Sequence, residues 1–176
     1  MNEATAGFFD LHRHGFVRVA VAVPRCRVAD PEFNAAETIA LYRQAAQQGA
    51  SLVAFPELGL AAYTCDDLFH QQNLLDAVIS GIARIIEASR ELTPILLVGA
   101  PLQLEGKLFN CAVMIYRGRI LGIVPKTYLP NYREFYEKRQ FTSAHAALAS
   151  DITFLGNNVP FGNNLIFTAT NVEHFS

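Results

Sequence analysis

Apolar residues fall along this chain in runs whose spacing alternates between strand-like and helical. The run Phe16-Val-Arg-Val-Ala-Val-Ala-Val23 is β-branched and apolar at almost every position, the pattern of an interior strand covered on both faces. Asp30 and Pro31 supply an N-cap and an N1 proline, and Ala35, Ile39, Tyr42 and Ala46 then recur at helical spacing until Gly49 closes the helix. Ser51-Leu-Val-Ala-Phe55 is the next buried strand, which makes a βαβ unit. Residues 58–65 have no clean period and read as a loop. The carboxylates of Asp66 and Asp67 suit a helix start, and Leu75, Val78, Ile79, Ile82 and Ile86 mark a buried helical face that runs to about Arg90. Pro94 stops that helix, and residues 95–102 form the strand of a second βαβ unit.

The remainder changes style. Glu105-Gly106 and Arg117-Gly118 are turn signals, and they set residues 108–116 and 119–124 side by side as a meander. Residues 143–150 read as a small-residue linker. Residues 152–155 and 165–169 read as strands around the turn-rich stretch 156–162. There is no internal repeat and no low-complexity segment. The pattern predicts an α/β fold. The chain stops after a strand, without a closing helix or polar tail, and is expected to be a piece of a larger domain. Uncovered apolar faces and strand edges would then leave it sticky or partly unfolded on its own.

Composition narrows the function classes. The 176 residues suffice for one domain, and 51% hydrophobic residues can fill a core. A net charge of -2, with no basic stripe, argues against nucleic acid as a partner. No apolar run approaches the ~20 residues needed to cross a bilayer, and residues 1–16 carry Glu3, Asp10 and Arg13 with no continuous apolar core of a signal peptide. A cytoplasmic protein without a membrane partner is expected. The three cysteines, Cys26, Cys65 and Cys111, are widely spaced and fit reduced thiols.

Two strands end in charges of opposite sign. Residues 51–55 run into Pro56-Glu57, and residues 120–124 deliver Lys126 between Pro125 and Pro130. In open α/β sheets chemistry collects at the carboxyl ends of strands, so Glu57 and Lys126 are candidates for a general base and an oxyanion-stabilising cation. Taken singly, Glu57 reads equally well as a loop cap, and Lys126 as a solvated lysine. His12 and His14 form a His-x-His pair, but no third ligand of matching spacing follows, and no metal is expected.

Phe55-Pro-Glu-Leu58 and the stretch from Pro125 to Arg139 resemble the Glu and Lys motifs of the nitrilase (carbon-nitrogen hydrolase) superfamily. Residues 14–20, Glu57 with Tyr63 beyond it, and residues 128–137 resemble more narrowly the glutaminase domains of glutamine-dependent NAD(+) synthetases. The resemblance implies an α-β-β-α sandwich, incomplete at its C-terminus, and a Glu-Lys-Cys triad that frees ammonia from glutamine for a fused synthetase domain. Carried onto this chain, Glu57 is the base and Lys126 the triad lysine. Tyr132 resembles a glutamine-binding tyrosine, and Tyr63 a second pocket residue. Glu137 falls where the superfamily often has a second glutamate, although an exposed i,i+4 pair with Arg133 would explain it equally. The resemblance further implies a homo-oligomer. It places ATP and Mg2+ only in the synthetase part of the same polypeptide and gives this domain no cofactor.

One departure matters. The family's nucleophilic cysteine follows the lysine in chain order, and no cysteine follows Cys111. Cys65-Asp66-Asp67 resembles the nucleophile motif superficially, but it precedes Lys126, and its aspartates read as helix-start charges. The 176 residues alone are therefore expected to be inactive, with a Cys-Glu-Asp segment expected soon after Ser176 if the reading frame continues. A stand-alone amidase with another substrate and a non-catalytic assembly fold remain the alternatives.

Overall fold

The computed structural model describes residues 11–168. Its centre is a five-stranded mixed sheet in the order β1-β2-β3-β4-β5: Val19–Val21, Leu52–Ala54, Ile95–Leu104, Lys107–Tyr116 and Arg119–Pro125. The first three strands are parallel and the last three antiparallel, as expected when helical crossovers give way to hairpins. Helix α1, Pro31–Gln47, starts where Asp30 accepts a hydrogen bond from the Phe33 amide at 3.1 Å. Helix α2, Gln72–Ala88, buries Leu74, Leu75, Val78, Ile82 and Ile85. The two helices meet at Gly81, where a Cβ would lie 3.4 Å from the Ala35 Cβ and from the Pro31 carbonyl oxygen.

The two predicted turns after β3 and β4 form as read. Each is a two-residue loop with both central φ angles positive, 51° and 72° at Glu105-Gly106 and 43° and 81° at Arg117-Gly118. That geometry matches the right-handed twist of the strands it joins. A third such turn at Leu155-Gly156, with φ of 48° and 77°, joins β6, Asp151–Phe154, to β7, Asn157–Pro160. This small hairpin hooks onto β5 through a bridge between Phe161 and Ile123. A short helix α3, Glu137–Gln140, lies between the meander and the hairpin.

Three expectations need correction. The strand read over residues 16–23 is shorter than expected, and among the described residues it is not interior. β1 spans three residues, pairs with β2 and has no second described neighbour, and Val19, Val21 and Val23 are 63%, 81% and 76% exposed. Only Ala20 and Ala22, on the other face, pack against the core. No α-helix begins near Asp66-Asp67. Tyr63–His70 is 3-10 in character with a break at Asp66 (φ 49°, ψ -127°), and the α-helix waits until Gln72. The second strand of the last pair lies at 157–160, inside the stretch read as turns, whereas residues 165–168 carry no regular structure. Residues 169–176, the far end of that expected strand, lie outside the described residues. No described helix is long and apolar enough to cross a membrane.

Candidate active site

Glu57 is placed by a loop that has little freedom. After β2 the Phe55 amide still bonds the Leu97 carbonyl of β3 at 2.9 Å, and the chain then turns over the sheet, with the Ala61 and Ala62 amides on the Leu58 carbonyl at 3.0 and 2.9 Å. Leu58 and Ala62 both take positive φ, 52° and 75°, so the loop is held in a conformation that side chains disfavour. The loop presses on Gly99 of β3. A Cβ there would stand 2.5 Å from both the Leu58 nitrogen and the Pro56 carbonyl oxygen, so only glycine admits this path.

Lys126 follows β5 directly. Its amide continues the strand ladder by bonding the Asn110 carbonyl of β4 at 2.8 Å, and its own carbonyl accepts from the Ala144 amide at 3.0 Å. With the backbone pinned on both sides, the ammonium reaches two carboxylates. It donates to Glu57 Oε1 at 2.6 Å and to Glu137 Oε1 at 2.9 Å. Glu137 opens α3 and is 5% exposed, and Tyr63 donates its hydroxyl to the same Oε1 at 2.7 Å. Asn110 donates its side-chain amide to Glu57 Oε1. The cluster thus holds two carboxylates around one cation, with an amide and a phenol as further donors.

Electrostatics follow from that count. Partial burial acts to lower the Lys126 pKa, but the hydrogen bonds and charges of Glu57 and Glu137 outweigh it and hold the ammonium above the ordinary lysine value. Burial, and then the bond to Glu137, push the Tyr63 phenol well up, so it stays a donor. Glu57 Oε1 already takes two donors, while no described donor bonds Oε2. A cleft of about 380 Å³ opens beside Glu57, Asn110 and Lys126, floored by Val98 and Gly99. A carboxylate with one committed and one open oxygen, next to a fixed ammonium in a cleft, can take a proton and steady a developing oxyanion.

Four of the five residues singled out in the sequence come together: Glu57, Lys126, Glu137 and Tyr63. The exposed Glu137–Arg133 pair does not form, because Glu137 turns inward to Lys126 and Tyr63. Tyr132 stands apart. It is 63% exposed, with its ring against Phe135 at 5.9 Å between centroids. Cys65 is buried with its thiol donating to the Ala61 carbonyl at 2.8 Å rather than to Glu57, and burial pushes its pKa up, away from the thiolate a nucleophile needs. Cys111 is buried in β4 and raised for the same reason. Cys26 is exposed in an irregular segment. The His12 side chain lies outside the described residues, and among those described no group of three His, Cys, Asp or Glu could hold a metal ion.

Sequence reading missed Asn110. Its signal was a lone amide in the apolar run of residues 108–115, where an uncompensated polar group is costly and must find a partner. Asp66 and Asp67, read as helix-start charges, instead tie the 63–70 segment to α3. Tyr136 donates to Asp66 at 2.8 Å, and Arg139 and Gln140 donate to Asp67 at 2.9 and 3.4 Å.

Comparison with known proteins agrees with this architecture. Residues 18–168 match the family model described as carbon-nitrogen hydrolase. The glutamine-dependent NAD(+) synthetase of Mycobacterium tuberculosis (strain ATCC 25618 / H37Rv) is 42% identical over 168 residues, covering 96% of this chain and 25% of that protein. The chain thus spans about a quarter of the length of curated relatives of this kind. Among solved structures, a glutamine-dependent NAD(+) synthetase from Cytophaga hutchinsonii superposes with a TM-score of 0.77 at 23% identity, covering 83% of this chain and 25% of that one. An amidase from Nesterenkonia sp. superposes with a TM-score of 0.62 at 22% identity, covering 77% of this chain and 50% of that one. The two structures share the fold, and the family match spans nearly the whole described chain: this protein belongs to the carbon-nitrogen hydrolase family.

Proposed function

We propose that this chain is the base-and-lysine portion of a glutaminase domain that supplies ammonia to a glutamine-dependent NAD(+) synthetase. The observation that carries the reading is the contact of Lys126 with Glu57 at 2.6 Å and with Glu137 at 2.9 Å at the edge of a cleft, in a chain 42% identical to such a synthetase. Glu57 is the general base and Lys126 the oxyanion stabiliser. Tyr63, Glu137 and Tyr132 are assigned to glutamine binding: Tyr63 and Glu137 line a neighbouring cavity of about 270 Å³ together with Phe135, and the Tyr132 ring packs on Phe135. The nucleophilic thiol comes from outside these 176 residues, since Cys26, Cys65 and Cys111 have no hydrogen bond to Glu57 or Lys126. The 176 residues alone therefore turn over no glutamine. In the complete protein the synthetase part, with its ATP and Mg2+, shares the polypeptide and uses the ammonia to convert deamido-NAD to NAD in a homo-oligomer.

The chemistry balances as follows. Glu57 takes the thiol proton while the thiolate adds to the amide carbon, and Lys126 stabilises the oxyanion. Glu57 returns that proton to the amide nitrogen, the C–N bond breaks, and ammonia leaves a thioester. Glu57 then takes a proton from water, whose oxygen adds to the thioester carbon. Collapse of that adduct breaks the C–S bond, releases glutamate and returns the proton to sulfur. The test is ammonia release by the full-length protein that carries these residues, offered glutamine, asparagine and short aliphatic amides. Glutamine is expected to give the highest kcat/KM. Preference for an aliphatic amide would favour a stand-alone amidase, and no hydrolysis of any amide would favour an assembly role.

A further inference from the structure

Asn110 touches both halves of the candidate machinery. Its side-chain amide donates to Glu57 Oε1, and its main-chain carbonyl accepts the Lys126 amide at 2.8 Å. A carboxylate can only accept, so the amide must turn its NH2 toward Glu57 and the bond has a fixed direction. Asn110 is 4% exposed within β4, between the buried Phe109 and Cys111, and strand pairing with Pro101 on one side and continuation of the ladder to Lys126 on the other leave it no room to drift. Glu57, by contrast, sits on a loop and is 42% exposed, so nothing in its own segment selects one side-chain rotamer.

We infer that Asn110 is a positioning residue that commits Glu57 Oε1, so that Oε2 is the oxygen that moves the proton, and that sets the spacing between the base and Lys126. Two donors on one oxygen fix the carboxylate plane. One residue then registers the loop after β2 against the end of β5, with Glu57 and Lys126 lying 69 positions apart in the chain. The catalytic part of this inference rests on the proposed amide hydrolysis, whereas the tie itself does not.

The experiment has two arms, each in the full-length protein that carries these residues. In the first, Asn110→Ala and the isosteric Asn110→Asp, which keeps the shape and cannot donate when ionised, are assayed for ammonia release from glutamine. A carboxylate displaced by about an ångström is expected to lower kcat on the order of 10²-fold with KM within about twofold. Unchanged kcat in either variant, or a loss confined to KM, overturns the role. In the second, melting temperatures are compared for Asn110→Ala, Glu57→Ala and the double variant. The double variant is expected to lose less than the sum of the single losses, because each single change already removes the shared bond. Additive losses overturn the tie. If the wild-type protein hydrolyses no amide, non-additive melting shows that the tie stands and that it is the hydrolase reading that has failed.

Discussion

Two carboxylate clusters join the same pair of segments and differ in nearly every physical respect. The inner one gathers Glu57, Tyr63, Lys126 and Glu137, with Glu137 at 5% exposure and the lysine shared between two acids. The outer one, a few residues along each segment, pairs Asp66 with Tyr136 and Asp67 with Arg139 and Gln140, and there the Arg139 and Asp67 side chains are 65% and 71% exposed. Water and salt screen the outer pair, so it acts as a weak latch that keeps α3 against the 63–70 segment. The inner cluster is shielded on its Glu137 side while Glu57 stays 42% exposed, so it is at the buried carboxylate that a charge imbalance must be met by the protein itself. The same residue types therefore give a latch in one place and a chemically poised group in the other, and burial decides which.

Removing the inner cation should have the largest effect. Lys126→Met leaves two carboxylates facing each other, one of them buried, and is expected to cost about 3 kcal/mol, the low end for a broken buried pair because Glu57 is partly solvated. Urea unfolding of the variant against the wild type measures it, and a change under about 1 kcal/mol would place the inner cluster in the same class as the outer one. The pH dependence has a definite sign. The folded Lys126 pKa lies above the ordinary lysine value of 10.5, so its stabilising effect is complete below that value and is lost as pH rises through the raised one. The gap in melting temperature between wild type and Lys126→Met should therefore hold through neutral pH and narrow in strongly alkaline buffer.

The next effect is steric. Gly99→Ala would drive a methyl into the loop that carries Glu57 and is expected to cost about 1–3 kcal/mol, with glutamine turnover falling further than stability alone explains. A variant of wild-type stability and activity would mean that the loop can lift off β3 freely. Weakest should be Arg139→Ala in the outer cluster, with a small loss of melting temperature that vanishes in molar salt. A loss that persists at high salt would show that the latch carries more than a screened ion pair.

The regular elements were legible because their periods are long and their caps local. Asp30-Pro31 at the start of α1 and the X-Gly turns of the meander each act within a few residues. β1 misled because Val and Ala are both apolar. The alternation of large and small, with Ala20 and Ala22 inward and the valines outward, held the information that a count of apolar positions discards. Residues 66 and 67 misled for a different reason, since their partners at 136, 139 and 140 lie some 70 residues away. At the candidate site, Glu57 and Lys126 could be read from their places at strand ends. Asn110 could not, because only the approach of the β2 loop to β4 shows what its amide is for, and the inward turn of Glu137 likewise depends on a tertiary contact rather than on its helical neighbours.

The most direct measurement is the rate of ammonia release from saturating glutamine by the full-length protein carrying Glu57→Gln, a change that keeps the size of the side chain and removes the base. With Glu57 moving the proton, kcat should fall by about 10²–10⁴-fold while KM for glutamine stays close to that of the wild type. A Glu57→Gln protein that releases ammonia at the wild-type rate would contradict the assignment of the base and, with it, the catalytic reading of the inner cluster.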